Sequence, residues 1–428
     1  MREQLLETVH GLKDEFLADL KTILQVESVK SDPEPNAPFG EGPKTALLTM
    51  LDIAARMGFE THLVEDAVGY IQLGDTEEYI GVMGHLDVVP AGDETLWDYP
   101  PFDLTVVDDM LYGRGVLDNK GPILSCLYAL YVLKKLDVPV KKSIRVLFGT
   151  DEESGSADIP MYLAHHAPPT FGFTPDCKYP VVYGEMGYLN MSIQWDITDD
   201  SGQEIQSLTG EFHSSAVPSS LTATFKTGET VVYEGKAAPS NAPELADNVI
   251  LQLAHQQKEG PGSIGQIFQW IDAHFDNVAD AKEVFGLAYR MMPVPYGITL
   301  NENELKLDIT VRYDANLTEE LVVNSIKKGV IEQYRILINR SMPSVVHDAT
   351  LPEIAILSDA YGALTGLDAT PVTTTGATYA RTMPNIVAFG PSFPGQKGIA
   401  HLPNEWMTFS DLMKNFEIYT LAIYGLSQ

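Results

Sequence analysis

The sequence predicts an α/β fold, in which a domain with a mainly parallel sheet and helices on both faces is interrupted by an inserted α+β domain. Three observations predict it. Two short apolar runs, Tyr79–Gly84 and Ile144–Gly149, flank an apolar helical pattern at 122–134, which is the order of a strand–helix–strand unit. Stretches with alternating apolar residues follow Gly184. The pattern of helices and apolar strands typical of an α/β domain then returns near residue 345.

The interrupted domain is predicted over residues 1–184 and 345–428. Apolar side chains recur at helical spacing over residues 3–26, which predicts an amphipathic helix, and a second helix is expected near 42–57. Pro122 stands in the first turn of the helix between the two strands, where proline is tolerated. The part after the insertion supplies two helices and one strand, expected at 351–365, 409–426 and Asn385–Phe389.

The inserted domain is predicted over residues 185–344. Its strands are indicated by alternation of apolar and polar residues at Tyr188–Trp195, Leu221–Phe225, Thr230–Tyr233 and Leu305–Val311. Helical patterns at 243–257 and 263–274 lie among them. Antiparallel strands with helices on one face are typical of an α+β domain.

The composition excludes several classes of function. The chain of 428 residues carries 28 basic and 59 acidic side chains, and 28 − 59 gives a net charge of −31. This charge repels phosphate backbones and anionic lipids, so we expect neither nucleic-acid nor membrane binding. The chain has two cysteines, Cys126 and Cys177, and no apolar stretch of the ~20 residues that a membrane helix needs. We therefore expect a cytoplasmic protein.

Five short segments combine histidines and carboxylates, and four of them fall where strands of the first domain should end. The first contains His85 and Asp87, directly after the strand that begins at Tyr79. Residues two apart on a strand face the same side, so these two side chains can cooperate. A carboxylate that accepts the second N–H of an imidazole orients that ring as a metal ligand. The alternative is a histidine that is simply hydrogen-bonded within a turn.

The second and third segments add acidic side chains. The second runs from Gly113 to Pro122 and contains Asp118, although Asp118 or Asn119 could instead be the N-cap of the following helix. The third contains Glu152 and Glu153, after the strand that ends at Gly149. Neighbouring residues at an extended strand end point to opposite sides, so these two are expected to face different partners. A solvated acidic loop is the alternative.

The last two segments, Phe173–Cys177 and Ile399–Glu405, contribute Asp176 and His401. Together the five segments supply two histidines and at least three carboxylates, which is the nitrogen and oxygen ligand set of Zn²⁺, Mn²⁺ or Co²⁺. No group of thiolates accompanies them, which argues against a closed structural zinc site. The sequence therefore predicts a catalytic type of metal centre.

The order of these segments resembles the M20 family of metallopeptidases. The segments read G-H-L-D-V-V-P, G-R-G-V-L-D-N-K-G-P, D-E-E-S-G, a lone Asp and a late His, in the family's order between residues 81 and 405. Residues 378–391 are similar to the bacterial dipeptidases of the PepV type. The resemblance implies a hydrolase that cleaves the amide bond of dipeptides or related small N-acyl amino acids. It also implies that residues 1–184 and 345–428 form a catalytic domain and that residues 185–344 form a lid.

The resemblance implies two divalent metal ions, with Zn²⁺ expected first and Mn²⁺ or Co²⁺ as alternatives. Asp118 matches the carboxylate that bridges both ions, and the family has a cis peptide bond after it. His85 and Asp176 match the ligands of one ion, and Glu153 and His401 match those of the other.

Three further matches concern catalysis and substrate. Glu152 matches the general base that takes a proton from the water between the metal ions, and Asp87 matches the acid behind the first histidine ligand. Arg312 matches a lid arginine that holds the carboxylate of the substrate. The expected partner is therefore a small peptide.

The inserted domain departs from the pattern. A lid histidine that stabilises the oxyanion in PepV-type enzymes is replaced by Pro239, and a substrate-binding asparagine is replaced by Ser215. His213 is close in sequence and could compensate. The alternative function is therefore a weakly active or inactive protein of the same fold that binds metal or peptide. The size of the insert slightly favours a monomer over a homodimer.

Overall fold

A computed structural model of the protein describes the whole chain except residues 198–203, 276–289, 302–303, 315, 332 and 397. The chain divides into two compact units, the first formed by Met1–Gly184 with His347–Gln428 and the second by Glu185–Val346. Within the described ranges, none of the helices combines the length and the apolar character that crossing a membrane requires.

The centre of the first unit is a mixed sheet. Its strands lie in the order Thr61–Val64, Val68–Leu73, Ser143–Gly149, Tyr79–His85, Phe171–Thr174, Ile386–Ala388 and Val182–Glu185, and Val372–Thr374 pairs with the last of these. The four strands from Ser143–Gly149 to Ile386–Ala388 run parallel, whereas pairing towards both edges is antiparallel. The predicted α/β class is confirmed, with the parallel pairing in the centre of the sheet.

Helices cover both faces of this sheet. Successive side chains of the strand Tyr79–His85 point to opposite faces, so Val82 packs into the larger hydrophobic cluster of the unit. Met83 packs into a smaller cluster, together with Tyr162 of a short helix. The helices of this unit are Arg2–Gly11, Lys13–Leu24, Glu41–Arg56, Lys120–Lys135, Asp158–Leu163, Pro352–Thr365 and Phe409–Leu426.

The first helix of the chain differs from the prediction. The single helix expected at 3–26 is two helices, because the chain leaves helical geometry at Leu12, with φ −96° and ψ 2°. Gly11, a poor helix former, precedes the break. The buried stripe nevertheless continues across it, since Val9, Leu12 and Phe16 are all buried. Periodicity alone could therefore not reveal the break.

The second unit is an α+β arrangement around a fully antiparallel sheet. The strands lie in the order Thr230–Glu234, Ser220–Phe225, Ile205–Thr209, Met291–Asn301, Glu304–Tyr313, Gly187–Asp196 and Tyr334–Met342. Within the described residues of this unit, the helices are Val249–Gln257, Gly262–Phe275 and Glu319–Ile326. Side chains from these helices and from the sheet share one hydrophobic cluster.

One helix of the second unit begins later than predicted. The expected helix at 243–257 starts at Val249, because the side chain of Asn248 accepts a hydrogen bond from the N–H of Ile250 and caps the helix there. The residues before it form a short 3₁₀ turn, Pro243–Leu245.

Short strands join distant parts of the chain. In the first unit, Trp406–Thr408 pairs with Met110–Tyr112, which also pairs with Thr105–Val107. Cys177–Lys178 pairs with Pro391–Ser392. The remaining short strands are Ala216–Val217 with Ala238–Pro239 in the second unit, and Val345–Val346. The first of these pairings brings the late segment with His401 to the loop with Asp118.

Candidate metal centre

Three of the predicted segments meet at the carboxyl ends of neighbouring parallel strands. His85 is the last residue of its strand, Glu152 and Glu153 follow the strand Ser143–Gly149, and Asp176 follows Phe171–Thr174. These strands are adjacent in the sheet. Because parallel strands end at the same edge, their carboxyl ends form the crevice where α/β proteins bind ligands.

The first group of candidate ligands is His85, Asp118 and Asp176, whose ligand atoms lie within 4.8 Å of one another. The Nε2 atom of His85 is 3.1 Å from Asp118 Oδ1 and 3.5 Å from Asp176 Oδ2. The second group is Asp118, Glu153 and His401. His401 Nε2 is 3.0 Å from Asp118 Oδ2 and 3.1 Å from Glu153 Oε1. Asp118 therefore belongs to both groups, with one carboxylate oxygen towards each histidine.

The hydrogen bond on the far side of the His85 ring provides a test of whether a cation fits. Nδ1 of this fully buried ring lies 2.9 Å from the backbone carbonyl oxygen of Asp87. A carbonyl oxygen only accepts, so Nδ1 carries a proton and Nε2 is left facing the carboxylates of Asp118 and Asp176. A lone pair and two anions repel one another unless a proton or a cation lies between them. The donor set of imidazoles and carboxylates fits a divalent cation.

The pKa values of the carboxylates and of His401 also support a site for divalent cations. Burial and the nearby charge of Asp118 raise the pKa of Glu153 to about 7 and also raise the pKa of Asp176. Burial, followed by the charge of Asp176, raises the pKa of Glu152 well above its usual range. Hydrogen bonds to Asp118 and Glu153 raise the pKa of His401 to about 11. Converging like charges thus hold protons that divalent cations can replace.

The turn with Glu152 and Glu153 is not the extended strand end that we expected. Both residues lie in a short 3₁₀ turn, Glu152–Ser154. The carboxylate of Asp87 accepts the backbone N–H of Glu152 at 3.2 Å and that of Glu153 at 3.1 Å. The Glu153 side chain reaches His401, whereas Glu152 lines the adjoining cavity. The two side chains therefore differ in their partners although the backbone is coiled.

The Asp87 carboxylate faces both the His85 ring and the turn that carries Glu152. Its Oδ1 atom is 3.5 Å from His85 Nδ1, farther than the backbone carbonyl of the same residue at 2.9 Å. The ring is oriented by the backbone of Asp87, and the carboxylate of this buried residue positions the turn that carries Glu152.

Asn119 is not a side-chain cap of the helix that begins at Lys120. The peptide bond between Asp118 and Asn119 is cis. The buried Asn119 amide donates to the carbonyl of Pro175 at 2.6 Å and accepts the backbone N–H of His85 at 3.3 Å. It thereby joins the three segments that carry His85, Asp118 and Asp176.

Sequence reasoning missed Glu405, which lies at the end of the quoted His401 segment. Its buried carboxylate accepts the backbone N–H groups of Gly115, Leu117 and Asp118 and pairs with the Arg114 guanidinium. The signal available in the sequence is a charged residue directly before an apolar strand. It gives no indication of the partners.

A cavity of about 280 Å³ opens onto the centre. It is lined by both glutamates of the turn, by Asp118, Asp176 and His401, and otherwise by uncharged residues: Leu117, Cys177, Gly376, Ala377, Thr378, Pro391, Ser392 and Ala400. All of them belong to the first unit. The cavity can therefore receive a small substrate next to the candidate ligands.

The remaining candidate residues lie in the second unit. Arg312 is in the strand Glu304–Tyr313, opposite Tyr188, and its guanidinium lies 5.2 Å from the centre of the Tyr188 ring. Pro239 is exposed and pairs with Ala216, which places it beside the segment that contains Ser215 and the exposed His213. The two departures from the expected pattern, Ser215 and Pro239, thus lie on adjoining segments of the second unit.

Comparisons with known proteins show which family shares this pattern. Residues 81–425 match the sequence profile described as Peptidase family M20/M25/M40. A putative dipeptidase of Staphylococcus aureus (strain USA300) is 31% identical over 465 residues, covering 98% of each chain. A putative dipeptidase of Staphylococcus saprophyticus is 30% identical over 468 residues, again covering 98% of each chain.

Solved structures of low sequence identity share the fold. Human carnosine dipeptidase 1 superposes with a TM-score of 0.63 at 16% identity, covering 100% of this chain and 99% of that chain. The dipeptidase Dug1p of Saccharomyces cerevisiae gives 0.59 at 15% identity, with 100% and 98% covered. A dinuclear metal-binding peptidase of the M20 family from Bacillus subtilis gives 0.56 at 11% identity, with 97% and 98% covered.

Proposed function

The chain belongs to peptidase family M20/M25/M40, and from this premise we propose that it is a dipeptidase with two divalent metal ions. The substrates are dipeptides or related small N-acyl amino acids. The observation that carries the proposal is the pair of ligand groups that share Asp118, at the edge of the sheet beside a small cavity.

We assign His85 and Asp176 to one ion, Glu153 and His401 to the other, and Asp118 to both. When bound, two divalent cations act as Lewis acids on the scissile carbonyl and acidify water. Imidazole and carboxylate ligands suit Zn²⁺, which we propose as the preferred ion, with Mn²⁺ and Co²⁺ as alternatives.

Glu152 is the proposed general base. Its side chain lines the cavity beside Glu153 and Asp176, and within the described residues no hydrogen bond ties its carboxylate to a neighbour. A carboxylate in this position can accept a proton from the attacking water and return it to the leaving amine. Asp87 is the positioning residue, because it fixes the backbone of Glu152 through a hydrogen bond of 3.2 Å.

Arg312 is proposed to bind the carboxylate of the substrate. A guanidinium forms bidentate hydrogen bonds with a carboxylate, and this one lies on a regular strand of the second unit. We propose that this unit acts as a lid that closes over the substrate and excludes water.

The test is hydrolysis of a panel of dipeptides and N-acyl amino acids by the purified protein, freed of metal by a chelator and then supplied with Zn²⁺, Mn²⁺ or Co²⁺. Bound metal is determined in parallel. We expect turnover only with added metal and about two ions per chain. A chain that binds no metal would overturn the proposal.

The second candidate is a protein of the same fold that binds metal or peptide with weak or no turnover. The exposed Pro239, where the resemblance to PepV-type dipeptidases implies an oxyanion-stabilising histidine, favours it. Two bound metal ions without turnover on the whole panel would support this candidate over the first.

We also propose a cytoplasmic monomer. The composition, with two cysteines and a net charge of −31, supports the compartment, and the length of the insert supports the monomer. Light scattering during size-exclusion chromatography tests the oligomeric state, and a mass of about 94 kDa, twice the chain mass of 47.0 kDa, would contradict it.

A further inference from the structure

The fully buried carboxylate of Glu405 lies at the centre of the loop that carries Asp118. One oxygen, Oε1, accepts three backbone hydrogen bonds, from Gly115 at 3.1 Å and from Leu117 and Asp118 at 3.0 Å each. The other oxygen, Oε2, accepts a hydrogen bond of 2.8 Å from Arg114. The charge is therefore balanced by the Arg114 guanidinium and three backbone N–H donors.

The backbone of the loop is shaped around this carboxylate. Gly115 has a φ of +91°, and a Cβ atom there would lie 3.0 Å from the side chain of Lys120 and 3.2 Å from that of Val88. A residue with a side chain is strained in this conformation. The left-handed turn directs the N–H group of Gly115 and those of Leu117 and Asp118 after it towards Oε1 of Glu405.

The position of Glu405 follows from strand pairing. Trp406 pairs with Tyr112, so the residue before Trp406 meets the residues after Tyr112. The backbone carbonyl of Glu405 also accepts the N–H of Gly113 at 3.1 Å. His401 lies four residues before Glu405. One short segment therefore contains both a proposed metal ligand and the carboxylate that holds the loop of Asp118, a second proposed ligand.

Arg114 links this arrangement to a third segment. Its guanidinium donates to the carbonyl of Pro90 at 3.3 Å and lies 5.1 Å from the centre of the Trp97 ring. Pro90 ends the segment that begins with His85 and Asp87. The buried pair of Arg114 and Glu405 therefore joins three of the segments that supply the candidate ligands.

We propose that Glu405 is a positioning residue that sets the affinity of the centre for divalent metal ions by fixing the backbone of Asp118. The proposal rests on the assignment of Asp118 as a metal ligand. Without the carboxylate, three buried N–H groups would lose their acceptor, and the loop would move to find others. Asp118 faces both histidines, so its displacement would weaken both ligand groups at once.

The experiment compares Mn²⁺ binding, measured by titration calorimetry on the full chain freed of metal, in the wild type, E405Q and two controls. In E405Q a single amide oxygen must serve both Arg114 and the three N–H groups, because the NH₂ group can only donate, so the loop that carries Asp118 cannot keep its position. We expect about 10–100-fold weaker Mn²⁺ binding, the range typical of residues that orient metal ligands. We expect a lower kcat at saturating Mn²⁺ with little change in KM.

The first control is D19N, which removes another buried carboxylate paired with an arginine in the same unit. Asp19 is hydrogen-bonded to Arg56 at 2.6 Å and to Tyr128 at 2.7 Å. The second control is R114K, which keeps a cation beside Glu405 and leaves its three backbone bonds in place. Both controls should lose thermal stability, because each perturbs a buried ion pair, and should bind Mn²⁺ within about 3-fold of the wild type, because both keep the Glu405 carboxylate and its three backbone hydrogen bonds.

If E405Q binds Mn²⁺ as tightly as D19N or R114K does, the proposal is overturned. The pair of Arg114 and Glu405 would then be a structural link only. If E405Q does not fold, E405D replaces it. Its carboxylate keeps the charge but is one methylene shorter, so it cannot reach all three N–H groups, and the same weakening is expected. A wild type that binds metal without turnover would contradict the proposed dipeptidase, while Mn²⁺ affinity still decides the role of Glu405.

Discussion

The imidazole of His85 is held by the backbone of Asp87, through a hydrogen bond of 2.9 Å from Nδ1 to the carbonyl oxygen. The Asp87 carboxylate lies farther from this ring atom, at 3.5 Å, and accepts the backbone N–H groups of Glu152 and Glu153. One residue therefore orients a candidate ligand with its backbone and the candidate base with its side chain. The two effects can be separated by mutation.

The first prediction concerns D87N, which changes the side chain and leaves the backbone carbonyl in place. The amide retains one acceptor for two N–H donors, so the turn with Glu152 loses its position. We expect kcat to fall about 10–100-fold while Mn²⁺ binding weakens far less. Steady-state kinetics and calorimetry measure both. H85A is the comparison, because it removes a proposed ligand and should lose metal, and equal loss of metal in D87N would contradict the separation.

The second prediction tests the general base with E152Q. The amide is close in shape to the carboxylate but accepts no proton at neutral pH. We expect kcat to fall about 10²–10⁴-fold, the usual contribution of proton transfer by a positioned side chain, with two metal ions still bound. Metal analysis and a dipeptide assay measure these quantities. Activity of E152Q within a few fold of the wild type would assign the base to another group.

The chemical character of the site could be predicted from the sequence because its residues stand at strand ends. His85 ends an apolar strand, Glu153 and Asp176 follow two others, and parallel strands bring such ends together. The roles of individual residues came from the resemblance to a family. Glu405 could not be found in either way, because it pairs with Arg114 and with backbone N–H groups 287 to 290 positions away, and contacts between such distant positions leave no residue pattern.

Parts of the fold escaped prediction for similar physical reasons. The strand Met291–Asn301 contains Pro293 and Pro295, which normally argue against a strand. The strand tolerates both prolines because they pair only with the strand Glu304–Tyr313. The contact with the strand on the other side, Ile205–Thr209, is at Leu300. This information lies in the sheet order and not in the local sequence.

The third prediction concerns the dependence of stability on pH. Asp158 is fully buried, and its Oδ2 atom accepts hydrogen bonds from Thr150 at 2.8 Å and from the Tyr379 hydroxyl at 2.5 Å. Within the described part of the chain, its Oδ1 atom has no hydrogen-bond partner. Burial raises the pKa of Asp158 from 3.8 to about 7, so the folded protein prefers the neutral carboxyl.

Because the pKa of Asp158 is raised in the folded protein, protonation of this carboxyl stabilises the fold. The contribution of Asp158 to stability is fully present below pH 3.8 and is lost as the pH rises towards 7, on the order of 4 kcal/mol in total. The neutral amide of D158N does not titrate. The free energy of unfolding of D158N should therefore increase relative to the wild type between pH 5 and pH 8, measured by urea denaturation of metal-free protein. D52N, at an exposed aspartate, is the control, and a constant difference for D158N would contradict the assignment.

The last prediction concerns Pro239, the position of the missing histidine. Pro239 is exposed and pairs with Ala216, so an imidazole at this position has room without disturbing a hydrophobic core. If the lid lacks an oxyanion donor, P239H should raise kcat by about 10-fold or more, part of the ~10²–10³ that one donor contributes. P239A is the control, because it removes the ring of proline without adding a donor. If His213 already supplies the donor, P239H should give no gain in kcat. H213A should then lower kcat by about 10-fold or more. The pair of variants therefore decides whether the second unit lacks a donor or supplies it from His213, in the segment before the neighbouring strand.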